Sequence, residues 1–244
     1  MDPSLLYPIK HGSEIAQKHL LQIKLRDNLV RQRVNIISSI RFTLKAFGIR
    51  LQSPKTTCFA KRARIALQET DPTTLAMIEP SLRVLDSMSE QIVAIEKALD
   101  LMIKEHHPEA LKLMEITGVG KITALSFVLT VENPNRFNKS RDIGAYLGLV
   151  PKRDQSGELD KELRISKAGD KYLRKLLVSA AQYIIRPFGT ECDLRSKGLQ
   201  LAERGGQRAK KKAVVAIARK LAVLMLSLLK SDKPYQAHHN PQTS

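Results

Sequence analysis

The sequence predicts a mainly α-helical protein, with a long antiparallel coiled-coil arm followed by a compact helical domain. Three observations carry that expectation. Residues 73–105 repeat apolar side chains in steps of three and four over about four heptads. Two later segments, 167–186 and 208–230, each carry one apolar face at helical spacing. Gly48, Ser53-Pro54, Pro108 and the Gly118-Val119-Gly120 turn supply the stops and turns between patterned segments.

The elements follow in order. Residues 13–47 read as one long helix, with Leu21, Leu25, Leu29, Ile36, Ile40, Leu44 and Phe47 as its apolar face and Gly48 as its stop. Arg26, Arg31, Arg33, Arg41 and Lys45 interleave with that face. This basic flank either touches a phosphate backbone or is simply solvated. Ser53-Pro54 breaks the chain, and a shorter helix is expected from Phe59 to Gln68. Asp71 and Pro72 then supply an N-cap and a first helical residue.

The heptad helix runs through Leu75, Ile78, Leu82, Leu85, Ile92, Ile95, Leu99 and Met102, with Met88 in the gap, and Pro108 ends it. Its seam needs a partner, either residues 13–47 of the same chain or a second copy. A homo-oligomer through helices 13–47 and 73–105 is expected on this ground. The resulting division is 1–108 for the arm, 109–232 for the compact domain and 233–244 for a disordered tail.

In the second region, Ile116-Thr117-Gly118-Val119-Gly120-Lys121 reads as a Gly-x-Gly turn between two helices, similar to a helix-hairpin-helix turn. Glycines allow a tight turn and a close approach of backbone N–H groups to a phosphate. An ordinary helix–helix turn explains them as well. Phe137 is expected in the core, in preference to stacking on a base. Residues 140–147 form one short helix. Residues 148–166 are irregular or a β-hairpin, with its turn at Asp154-Gln155-Ser156-Gly157. The two final helices start with Lys171, Arg174 and Lys175, and with Lys210, Lys211 and Lys212. Cations in a first helical turn oppose the helix dipole, which points to an anionic partner over these ends.

The charge agrees. The net charge is +17, yet residues 67–109 hold nine acids and only three bases, a net of −6, so the other residues carry +23. Nucleic acid is the economical partner for such an excess, because cations release counterions from phosphates. No run of apolar residues is long enough to span a membrane, and Met1–Lys10 does not resemble a signal peptide, so a cytoplasmic location is expected. Two distant cysteines and the adjacent pairs His106-His107 and His238-His239 do not make a metal site.

Ser156 stands among Lys152, Arg153, Arg164, Lys167 and Lys171. No histidine and acid accompany it as a triad would require. A serine among cations suits attack on a phosphodiester, and a turn serine before glycine is the plainer alternative.

The ordered run of Ile116–Gly120, Arg136-Phe137, Tyr146–Pro151, Ser156-Gly157, Ser166–Gly169 and Leu173–Leu177 resembles the C-terminal domain of the DEDD-type insertion-sequence transposases, also described as bridge-RNA-guided recombinases. The helical arm and the basic C-terminal helices fit the same layout. The resemblance implies that Ser156 is the nucleophile that links covalently to a DNA strand end. Gly118, Gly120, Lys121, Lys152, Arg153, Arg164, Lys167, Lys171 and Arg174 are the expected nucleic-acid contacts. DNA is the implied partner, and a guide RNA is a further partner that the resemblance allows. Family members also carry a RuvC-like domain whose four acids bind magnesium. No segment here corresponds to it, so no cofactor is expected within this chain, and the expected protein is a truncated transposase inactive alone. The alternative is a non-catalytic nucleic-acid-binding protein, or an inhibitor of a full-length transposase.

Overall fold

A computed structural model describes residues 12–52, 55–156, 159–231 and 233–238, and the side chains of residues 153–163 lie outside the description. The expected breaker Ser53-Pro54, the turn residue Gly157 and the tail from 239 onward are therefore outside the described residues. The fold is mainly helical, as its sequence predicts, with one two-stranded antiparallel sheet among the described residues. It divides into two compact units, one of residues 18–102 and the other of the remaining residues.

In the first unit, α1 (Glu14–Lys45) and α3 (Pro72–His106) form the antiparallel arm, with α2 (Phe59–Gln68) between them in sequence. Arg26 pairs with Glu96, and Arg33 Nη1 donates to Ser89 Oγ at 3.4 Å. These two pairs set one register, which brings Ile23, Val30, Ile37 and Ile40 level with Leu99, Ile92, Leu85 and Leu82. All but Val30, which is half-buried, are buried. The α3 seam is thus covered from within the chain. Asp71 caps α3 as expected, its carboxylate accepting from the N–H of Thr74 at 3.0 Å.

The α1 face differs from the sequence expectation. Ile40 and Leu44 are buried, but Leu21, Leu25 and Phe47 are more than half exposed. The buried stripe instead runs Ala16, Ile23, Arg33, Ile37, Ile40, Leu44, a seven-residue repeat that keeps one seam toward α3. The basic flank divides: Arg26 and Arg33 are drawn into the arm, while Arg31, Arg41 and Lys45 stay exposed. Arg26 meets Glu96, Arg31 meets Asp27, Arg33 is buried, and Arg41 lies over the Phe59 ring at 5.1 Å. Arg64 of α2 bridges Glu79 and Asp86, two turns apart on α3, at 2.9 and 2.7 Å.

The second unit is built around α5 (Lys121–Val131), whose residues from Thr123 to Leu129 are all buried. A helix apolar on every side must sit inside a shell. Helices α4 (Glu109–Met114) and α7 (Lys171–Ile185) pack directly on it, α9 (Gly206–Lys230) packs on both of these, α8 (Asp193–Ala202) packs on α7 and α9, and the short α6 (Ile143–Tyr146) lies against α9. The α7 face is the expected one, with Leu173, Leu177, Ala180, Ala181 and Ile184 buried. Helix α7 starts at Lys171 rather than Lys167, because Lys167 and Gly169 have φ of +59° and +71° and cannot continue a helix. Asp170 caps it, accepting from Leu173 N–H at 2.6 Å.

Helix α8 has no counterpart among the expected elements. Between α6 and α7 the chain makes the hairpin of β1 (Pro151–Ser156) and β2 (Leu159–Ile165). Asp154 and Gln155, expected in the turn, are instead paired strand residues opposite Lys161 and Asp160. Residues 233–238, expected to begin the tail, follow a defined path. The Ala237 carbonyl accepts from the N–H of Asp193 at 3.0 Å, and Tyr235 shares a hydrogen bond with Thr117.

Candidate nucleic-acid interface

The Gly-x-Gly turn splits its two glycines between two tasks. Gly118 has φ of +84°, and a Cβ there would lie 2.8 Å from Ile184 Cγ1, so this residue seats the turn on α7. Gly120 faces open space in an extended conformation at the start of α5. Only the second glycine leaves backbone N–H groups approachable in the way a phosphate turn needs. Lys121 beside it is half-buried.

The motif run from Tyr146 to Gly169 is a lock between two loops. A Cβ on Gly148 (φ +64°) would lie 2.3 Å from the Ala168 nitrogen, and one on Gly169 would lie 2.0 Å from the Tyr146 carbonyl oxygen. The backbones touch because neither residue has a side chain. Lys167 N–H donates to the Gly148 carbonyl at 3.1 Å, and Ser166 N–H to that of Val150 at 2.9 Å. Arg174 Nη1 donates to the carbonyls of Leu147 and Ala168 at 3.0 and 2.7 Å. Arg174 thus closes the lock from within. Phe137 is buried as expected, edge-on to Tyr146 at 5.4 Å, and Arg136 lies over both rings.

The lock fixes the base of the hairpin, where Pro151 faces Ile165. Ser156 ends β1 opposite Leu159. Five residues at ~3.3 Å each carry it roughly 17 Å beyond that base. The side chains of Ser156 and Arg153 are outside the described residues.

Beside the hairpin base lies a groove of about 1390 Å³. Arg164 and Lys167 line it from the hairpin side, and Arg208, Lys211, Lys212, Arg219 and Lys220 from α9. Leu149, Ile165, Val215, Val223 and Leu224 give it apolar lining, and Asp193 is the one acid along it among the described residues. Tyr235, Gln236 and Ala237 complete the lining. Burial pushes the Tyr235 phenol above its ordinary value, with the Cys192 thiol adding to the shift.

Of the residues expected from sequence, Arg164 and Lys167 meet in this groove. Lys152 and Lys171 are exposed but do not line it. The sequence reading missed Arg219 and Lys220. They lie more than two turns into α9, where they look like an ordinary solvated face. Arg219 has a visible signal only in three dimensions. Gly144 of α6 leaves the space its side chain occupies, since a Cβ there would be 2.9 Å from Arg219 Nε.

The described residues contain no cluster of three or more His, Cys, Asp or Glu. They therefore do not fit the carboxylate-bound magnesium site that the family resemblance implies. No helix among them is long and apolar enough to cross a membrane.

Residues 110–191, which hold the turn, the lock and the hairpin, match the Transposase IS116/IS110/IS902 family. The probable family 20 transposase of Pseudomonas aeruginosa is 30% identical over 244 residues, covering 96% of this chain and 69% of that protein. The transposase for insertion sequence element IS1111A of Coxiella burnetii is 29% identical over 221 residues, 88% of this chain and 59% of that protein. The pilin gene-inverting protein of Moraxella bovis is 27% identical over 124 residues, half of this chain and 37% of its own length. This chain belongs to the Transposase IS116/IS110/IS902 family. It spans 59% of the length of the Coxiella relative.

Proposed function

We propose that this chain is the DNA-binding, serine-bearing part of an insertion-sequence transposase. The groove carries the reading. Seven cations and a single acid line it among the described residues, next to the base of the hairpin whose end is Ser156. A duplex or single strand laid along α9 would exchange counterions for Arg208, Lys211, Lys212 and Lys220. Arg164 and Lys167 would face the strand nearest the hairpin.

Ser156 is then the nucleophile. Its Oγ attacks a phosphodiester phosphorus, a phosphoserine ester forms, and the displaced nucleotide oxygen leaves with the other strand end. A second reading, binding without chemistry, needs only the groove and its cations.

One experiment separates the readings. The chain is titrated with labelled DNA at several salt concentrations and the products run on a denaturing gel. Both readings require affinity that falls with salt, and Lys211→Glu with Lys212→Glu should lower the log–log slope by about two. A denaturation-resistant protein–DNA adduct that Ser156→Ala abolishes supports the catalytic reading. Binding with no adduct, when an acidic metal-binding partner domain is also supplied, leaves only the binding reading. No salt-dependent binding removes both.

A further inference from the structure

Helix α7 ends at Ile185, and Arg186-Pro187-Phe188-Gly189 turn the chain sharply toward α8. Phe188 is 100% exposed, and its φ is +60°. An aromatic residue in the left-handed region is strained, and a fully exposed ring gains nothing from burial to offset that strain. The turn is nevertheless held firmly. Arg195, 9% exposed, donates from Nη1 to the carbonyls of Arg186 and Ile185 at 2.7 and 3.4 Å, and from Nε to Glu191 at 3.0 Å. Gly189 N–H donates to the Arg186 carbonyl at 3.2 Å, and a Cβ on Gly189 would lie 2.8 Å from the Ile184 oxygen. The same turn carries a cation, two residues before Phe188 in sequence. The Arg186 guanidinium stacks on Tyr183 at 3.7 Å from its centroid, and Tyr183 is itself 47% exposed.

We infer that Phe188 is a stacking platform for an unpaired base, with Arg186 placed for the neighbouring phosphate. This rests on the nucleic-acid reading of the groove. A flat, fully exposed ring on the same turn as an arginine suits the face of a base and its backbone together, in a way that tolerates any base. The turn is also within reach of the groove. Phe188 lies five residues before Asp193, so the chain between them spans at most roughly 18 Å. The base must be unpaired, because a duplex hides base faces in its own stack.

The chain contains no tryptophan, so Phe188→Trp places a single indole at the tip of the turn without altering any buried contact. It is titrated with a short single-stranded oligodeoxynucleotide and with the matching duplex, while anisotropy of labelled DNA reports binding independently. Stacking predicts quenching of the indole by the single strand and little by the duplex. Phe188→Ala should weaken single-strand binding by about 5- to 150-fold and leave duplex binding unchanged. Binding by anisotropy with an unquenched indole, or an unaffected Phe188→Ala variant, overturns the platform and leaves the groove intact. Indole emission that shifts with protein concentration in the absence of DNA overturns it in favour of docking on a second copy. No DNA binding by either readout overturns the groove reading along with it.

Discussion

Arg219 of α9 lies across Gly144 of α6, its Nε 2.9 Å from the position a Cβ on Gly144 would take. The guanidinium side of the groove is therefore placed by the absence of a side chain on another helix.

Gly144→Ala should keep the fold, because the atoms it displaces belong to a flexible side chain. It should move Arg219 and weaken DNA binding roughly tenfold at low salt, the scale of one charge-assisted hydrogen bond. Arg219→Ala should cost about the same. The double variant should cost no more than either single one, since both remove one contact. Additive losses in the DNA titration would show that Gly144 acts elsewhere.

Gly148→Ala should behave differently. Its Cβ would meet backbone atoms of Ala168 at 2.3 and 2.4 Å, and the residue has φ of +64°. Neither partner can rotate away. The loss should exceed ~2 kcal/mol from the left-handed backbone and the clash together. Urea unfolding measures it, and a midpoint near that of the wild type would mean that the two loops do not interlock.

The arm should weaken in acid. Hydrogen bonding from Arg64 holds the Glu79 carboxyl below its ordinary value of 4.5, and hydrogen bonding from Thr74 holds Asp71 below 3.8. A carboxyl with a depressed folded-state pKa stabilises the fold above its unfolded value. That stabilisation is lost as pH falls through the folded one. Thermal melts of wild type and Glu79→Gln should differ at neutral pH and converge as pH drops below 4.5. A constant gap across that window would show that the ion pair does not titrate with folding.

The sequence alone determined the elements whose pattern is local. The α3 heptads, the Asp71-Pro72 start, α5 and the α7 face depend only on side-chain spacing along one helix. The motif residues around Gly148 and Gly169 were also legible as a set, though not as two backbones in contact.

Tertiary structure decided the rest. Helix α1 carries apolar residues on more than one side, and only the register set by Arg26 with Glu96 chooses the stripe with Ile23 over Leu21 and Leu25. Helix α8 has a polar sequence with a glycine in its middle, which reads as connector. A Cβ on Gly198 would lie 2.7 Å from Ile185 and 3.1 Å from Ile217, so the same glycine is what lets α8 pack closely. The groove draws on Leu149, Arg164, Arg219 and Tyr235, which no spacing rule connects. Periodicity records which face of a helix is buried, but a site made of side chains from distant segments exists only once packing has brought them together.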